Sequence, residues 1–166
     1  MGLSLLFISL FSFWACIAPE RFVSKESGFS ITVPDGYKVK PDYSEQVPVI
    51  LYSPAEGDKD EFTENINVVT QTFDGDIETY FQANVMGMNN LMREFKMIKS
   101  GSASINGLES RWILYSFAYG EKTMKVLAYC FTVNGTGYVI TCSAVPDSYE
   151  RFEKTFRQTC ESFQKE

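Results

Sequence analysis

Apolar and polar residues alternate along three short stretches in the first half of the chain, and this period of two is typical of β-strands. In GFSITVPDGY, residues 28–37, the apolar side chains fall on every second position before a Pro-Asp-Gly turn. Residues 48–54 and 65–73 predict two further strands, the first bounded by prolines and the second rich in β-branched residues. The alternation of apolar and polar residues therefore predicts three strands in the first half of the chain.

The period then changes to that of an amphipathic helix. From Ile77 the apolar residues recur at spacings of three, four and seven, and Asp76 stands where a helix N-cap would. Gly87 lowers the helix propensity, so packing must stabilise this helix. The predicted apolar stripe consists of Ile77, Tyr80, Phe81, Met88, Leu91, Met92 and Phe95.

Four strands and a second helix are predicted in the second half. Asn106-Gly107 is the strongest two-residue hairpin signal, and NGTG at 134–137 predicts another hairpin. The strands cover residues 95–105, 108–120, 122–133 and 137–145. After Pro146, four aromatic residues and Cys160 recur at spacings of three and four, which predicts a helix lying on the sheet.

Apolar residues on both faces of these strands decide the fold class. Ile113, Tyr115 and Phe117 point to one face, whereas Trp112 and Leu114 point to the other. A sheet with two apolar faces must be covered on both sides. The order βββ-α-ββββ-α therefore predicts an α+β fold, in which an antiparallel β-sheet has helices packed on its faces.

The N-terminal segment follows a different pattern. Residues 2–18 carry no charge, and the apolar run LSLLFISLFSFWA has the length of a signal-peptide core but is short for a membrane-spanning helix. Ala15 precedes Cys16, so the segment resembles a bacterial lipoprotein signal, which is cleaved before a Cys that then carries acyl chains. The resemblance implies that Cys16 is lipidated.

Two features depart from that signal: no Lys or Arg precedes the apolar run, and Phe13 stands where Leu is usual. An ordinary cleaved signal peptide and an uncleaved N-terminal anchor stay open as alternatives. The lipoprotein interpretation divides the chain into a signal peptide at 1–15, a tether at 16–27 and one domain at 28–166. It places the domain on the periplasmic or extracellular face of a bacterial envelope. Ile17 is not the Asp that retains some lipoproteins at the inner membrane, which favours the outer membrane.

The charge and composition of the chain argue against several classes of function. The 166 residues include 15 Lys and Arg against 21 Asp and Glu, with no basic run, so we expect no nucleic-acid partner. Histidine is absent, which removes His-activated nucleophiles and most zinc and copper sites. We therefore expect no metal ion and no cofactor, and catalysis is disfavoured.

Three cysteines besides Cys16 allow two interpretations. Cys130 and Cys142 lie on paired strands, and Cys160 lies on the apolar face of the last helix. In an oxidising compartment a disulfide between Cys142 and Cys160 is sterically reasonable. The alternative is three buried thiols that act as small hydrophobic side chains.

Acidic residues and exposed aromatic residues give weaker candidates for a site. A carboxylate-based hydrolase would need two carboxylates facing one cleft with separated pKa values. A helix N-cap and a solvated loop account for the same acidic residues without chemistry. The candidate carboxylates are Asp58, Asp60, Glu61, Asp74 and Asp76, and the aromatic candidates for a partner surface are Tyr37, Tyr43, Tyr52 and Phe62.

Three segments, taken in order, resemble the PsbP-like domain family, whose bacterial relatives include DcrB-like and other small lipoproteins. They are GFSITVPDGYKV at 28–39, INGLESRWILYSF at 105–117 and GYVITCSAVPDSYERFEKTFRQTCESF at 137–163. The resemblance implies an α/β/α sandwich, and family members with known roles bind and stabilise partners.

We therefore expect a membrane-anchored, non-catalytic binding or assembly module of the cell envelope, with a lipid anchor and an envelope protein as partners. A small-ligand carrier with an apolar cavity between helix and sheet is one alternative. The carboxylate-based hydrolase is the other.

Overall fold

The architecture is that of a computed structural model, in which residues 18–57 and 62–166 are described. Over these residues the chain forms ten strands and two helices. The strands are β1 (Arg21–Ser24), β2 (Phe29–Thr32), β3 (Lys38–Ser44), β4 (Val47–Tyr52), β5 (Asn65–Thr72), β6 (Lys96–Ile105), β7 (Leu108–Tyr119), β8 (Lys122–Val133), β9 (Thr136–Ala144) and β10 (Gln164–Lys165). The helices are α1 (Ile77–Leu91) and α2 (Pro146–Glu161).

Seven of the strands form one antiparallel sheet in the order β3-β4-β5-β9-β8-β7-β6. The other three form a small antiparallel sheet in which β2 lies between β1 and β10. The predicted α+β class, with helices packed on an antiparallel sheet, is confirmed. The first predicted strand, however, belongs to the small sheet rather than to the main one.

Both faces of the seven-stranded sheet are apolar, as predicted, and each carries its own cover. On one face, which we call the α2 face, Leu114, Leu127 and Ile140 pack against α2 and the small sheet. On the opposite face, the α1 face, Ile113 and Tyr115 pack with the buried residues of α1. The sheet is therefore the central layer of a sandwich.

Two Asn-Gly turns set the register of the hairpins that build the sheet. Asn106 and Gly107 have φ values of 51° and 80°, and Asn134 and Gly135 have 50° and 77°. Positive φ at both central residues characterises the type I′ turn, which Asn-Gly favours. Both predicted hairpins are thus confirmed. The side-chain amide of Asn106 also donates a hydrogen bond to the carbonyl of Phe163, at 2.8 Å.

Strands β1, β3 and β10 lie outside the predicted element order. β1 falls within residues 16–27, the predicted tether, and pairs with β2 along its whole length. Among the described residues, the folded domain therefore begins at Arg21 rather than at residue 28. All seven residues of β3 are exposed, so apolar and polar residues do not alternate along it. Backbone pairing with β4 holds this edge strand in place.

The two helices bury different amounts of side chain. In α2, Tyr149, Phe156 and Cys160 are fully buried on the sheet, as the spacing predicts. α1 buries only Tyr80 and Phe81, and Leu91 is 87% exposed although its spacing places it in the predicted apolar stripe. That error arises because α1 ends at Leu91, and the chain returns to the sheet through later residues.

Candidate functional site

Beyond its first turn, the exposed face of α1 carries no charge. Between Thr79 and Met92 the sequence contains no Asp, Glu, Lys or Arg, and Glu78 is the one charged residue of the helix. By contrast, seven of the 16 residues of α2 are charged. Both helices cover the same sheet, on opposite faces. The difference in charge between them therefore concerns the side chains that each helix exposes.

Uncharged residues of α1 form one continuous exposed strip. We define this strip as the α1 surface; it consists of Gln82, Ala83, Met86, Asn89, Asn90 and Leu91. Met86 is 63% exposed and Leu91 is 87% exposed. A helix that lies on a globular domain in water normally places charged and polar residues on its outer face. The α1 surface has polar amides but no charge, and it exposes two large apolar side chains, so it differs from an ordinary solvated helix.

A groove of about 450 Å³ lies between α1 and the strands β5, β7 and β9, and we call it the α1 groove. Its walls are largely apolar, and none of the described residues that line it is charged. Its apolar side chains come from Val69, Ala83, Met88, Leu91, Met92 and Val139, and its polar groups come from Gln71, Asn84, Tyr115 and Thr141.

On the other flank of α1 lies a second groove, of about 430 Å³, which includes Met86, Phe95 and Met97. Its described lining is uncharged as well. Methionine side chains are flexible and polarisable, and they adapt to differently shaped partners. The α1 surface is thus flanked on both sides by neutral concave surfaces.

Tyr80 attaches α1 to the sheet beneath these grooves. Its ring packs against Gly137 in β9, where the absence of a side chain makes room for it. The Tyr80 hydroxyl is buried and has no hydrogen-bond partner among the described residues. Burial raises the pKa of Tyr80 to about 12, and the nearby side chains of Gln71 and Asn84 offset part of the rise.

The predicted carboxylate candidates do not form a catalytic pair in the described part of the chain. Asp58, Asp60 and Glu61 lie outside the described residues, as does Cys16. Asp76 is the N-cap of α1 and accepts hydrogen bonds from the Thr79 amide at 2.8 Å and the Thr79 hydroxyl at 3.0 Å. Asp74 is exposed.

One buried carboxylate lies at a position that the sequence pattern does not single out. Glu64, at 1% exposure, precedes β5 and accepts hydrogen bonds from the hydroxyls of Ser148 and Ser53. Ser148 belongs to the first turn of α2, where a negative charge is favoured by the helix dipole. Glu64 therefore connects the start of β5 to the start of α2.

The aromatic candidates do not converge on one surface. Tyr43 is 53% exposed on the edge strand β3. Tyr37 packs against the core of the α2 face, and Phe62 packs against the core of the α1 face. Tyr52 is partly buried at the end of β4.

Comparison with known proteins identifies the fold. No protein-family model and no curated protein sequence matches the chain. The solution structure of cyanobacterial PsbP (CyanoP) from Synechocystis sp. PCC 6803 superposes with a TM-score of 0.64 at 18% identity, covering 89% of this chain and 92% of that protein. The chain has the PsbP-like fold.

Two further proteins share this PsbP-like fold. A protein of unknown function and putative regulator from Pseudomonas aeruginosa, PA94, gives a TM-score of 0.63 at 13% identity, covering 86% of this chain and 94% of its own. LpqN, involved in cell envelope biogenesis of Mycobacterium tuberculosis, gives 0.63 at 16% identity, covering 82% of each chain. One of the three similar proteins is involved in cell envelope biogenesis, and none of the three carries the name of an enzyme.

The described residues of this PsbP-like domain contain two helices, α1 and α2. Neither α1 nor α2 has the length and apolar character needed to cross a bilayer.

Proposed function

We propose that this PsbP-like domain is a non-catalytic binding module of the bacterial cell envelope, and that the α1 surface docks an envelope protein through uncharged side chains, among them the exposed apolar residues Met86 and Leu91. The observation that carries the proposal is the exposed, charge-free strip of α1 with a groove on each flank. Charged residues are depleted at the centre of protein interfaces, whereas Met is enriched there.

The size and neutrality of the grooves support a partner with apolar side chains. The α1 groove, of about 450 Å³, falls within the size range of binding pockets, and a charged group would find no counter-ion among the described lining residues. Exposed apolar patches rimmed by polar residues mark interaction sites. Asn84 and Thr141 provide hydrogen-bonding groups to orient what enters the α1 groove.

The proposal includes a lipid anchor at Cys16. Five Cα steps separate Cys16 from Arg21, the first residue of β1, so the anchored residue lies within about 18 Å of the folded domain. β1 belongs to the small sheet on the α2 face, opposite to α1. An anchor at this point therefore leaves the α1 surface open to partners. This holds whether the anchor lies in the outer membrane or in another envelope membrane.

A small-ligand carrier is the second candidate, because the α1 groove falls within the size range of ligand pockets. The two candidates differ in what occupies the groove. A carrier would hold a small apolar molecule, whereas the docking module contacts another protein.

Photo-crosslinking tests the proposal and separates the two candidates. A photoreactive residue is placed at Leu91 in the full chain, in the envelope of its native host, with Val39 on β3 as the matched control position; both are exposed apolar residues. We expect Leu91 to give one discrete crosslinked product of protein mass, which Met86→Glu removes. Equal products at Leu91 and Val39 would contradict a docking surface, and a product heavier by only a small molecule would identify a carrier.

The stability of the Met86→Glu variant is the control for that experiment. Because Met86 is 63% exposed, this substitution should change the free energy of unfolding by less than about 0.5 kcal/mol. Loss of crosslinking in a stable variant then reports on binding alone.

A further inference from the structure

Two thiols meet beneath α2. Cys142, in β9, and Cys160, in the last turn of α2, are both fully buried, and their sulfur atoms lie 3.4 Å apart. The structure has both as unbonded thiols. The third described cysteine, Cys130, packs in the core of the α1 face, on the other side of the sheet. Only one pair of the described cysteines is therefore placed to react.

We propose that Cys142 and Cys160 form a disulfide that joins β9 to α2 when the chain folds in an oxidising compartment. Each thiol loses its proton, and a bond forms between the two sulfur atoms. The two electrons and two protons pass to a disulfide-containing oxidant, whose S–S bond breaks to give two thiols. Only the choice of compartment rests on the proposed envelope location, because the pairing itself follows from the contact between the sulfur atoms.

The surroundings of the pair determine when this reaction occurs. Burial raises the pKa of the Cys142 thiol well above its ordinary value, and the contact with Cys160 raises it further. Thiolates, rather than thiols, carry out exchange, and neither sulfur is reachable from solvent once α2 is docked. The disulfide therefore forms while α2 docks on the sheet, when the two thiols meet but are still reached by the oxidant, and it is protected from reductants afterwards.

Differential alkylation of the full chain tests the pairing. The protein is refolded in a mixture of oxidised and reduced glutathione, denatured, and treated with a first alkylating reagent. It is then reduced, treated with a second reagent, digested, and analysed by mass spectrometry at each cysteine separately. We expect the second label on Cys142 and Cys160 and the first label on Cys130. The first label on Cys142 and Cys160, to the same extent as on Cys130, would overturn the proposal.

A comparison within the wild-type chain does not depend on the folding of any variant, and two cysteine variants then identify the linked residues. The oxidised wild-type chain should unfold at a temperature roughly 5–10 °C higher than the same chain after reduction in denaturant. Cys130→Ala should retain the linked peptide, whereas Cys160→Ala should abolish it. Equal unfolding temperatures, or a linked peptide that contains Cys130, would contradict the assignment.

Discussion

The ring of Tyr80 lies directly over the backbone of Gly137, so that a Cβ atom at position 137 would overlap the ring. Tyr80 is one of only two buried residues that α1 contributes. The contact is therefore one of the two buried attachments that the helix makes to the α1 face of the sheet.

Gly137→Ala should displace Tyr80, because the added methyl group occupies the place of its ring. We expect a loss of about 1–3 kcal/mol in the free energy of unfolding, as for overpacked cores. Urea denaturation of the wild type and the variant measures the loss. An unchanged midpoint would show that α1 moves aside without cost.

Gly87→Ala is the matched substitution in α1 itself. A Cβ atom at this position meets nothing within 4 Å, and alanine is the better residue inside a helix. We expect a gain of about 0.5–1 kcal/mol in the free energy of unfolding, measured by the same urea titration. Destabilisation would mean that the helix needs the flexibility of glycine here.

Asp76 should make stability depend on acidity in the range below its ordinary pKa of 3.8. Hydrogen bonds from Thr79 lower the pKa of this carboxyl group in the folded state. Its capping contribution is therefore complete above the ordinary pKa and is lost as pH falls through the lowered value. Thermal unfolding measured between neutral and strongly acidic pH should show this loss, and Asp76→Asn, which keeps a capping oxygen, should remove this component of the pH dependence.

Ser148→Ala should leave the buried carboxylate of Glu64 without one of its two hydroxyl donors. We expect a cost of about 1–3 kcal/mol in the free energy of unfolding, measured with chemical denaturant. In the double variant with Glu64→Leu the charge is gone as well, so part of the stability should return. A double variant less stable than Ser148→Ala alone would contradict this account.

Elements that carry a strong local signal were predictable from the sequence. The two Asn-Gly turns formed hairpins because both residues accept positive φ. The strand β3 was not predictable, because backbone pairing with β4 stabilises it and its side chains are all exposed. β1 was not predicted because its pairing with β2 makes it a strand, and the sequence does not show that pairing.

The candidate site shows the same division between local and tertiary information. The charge-free run from Thr79 to Met92 is visible in the sequence, but periodicity assigns its apolar residues to the core. Leu91 is exposed because it is the last residue of α1, and only the structure shows where the helix ends. The proximity of Cys142 and Cys160 was predictable because strand alternation and helical spacing place both on the α2 face.

Arg21 is the first residue of the small sheet, and its guanidinium group donates to the Ser30 hydroxyl at 2.6 Å, the Thr32 hydroxyl at 3.4 Å and the Ser162 carbonyl at 3.1 Å. A pulling force applied through the N-terminal segment reaches this residue before any other part of the described strands. The three bonds distribute the tension to β2 and to the end of α2, so β1 resists peeling at the point where peeling would begin. The side chain of Arg21 therefore adds to the backbone pairing of β1 and β2 at the end of the strand where a load arrives first.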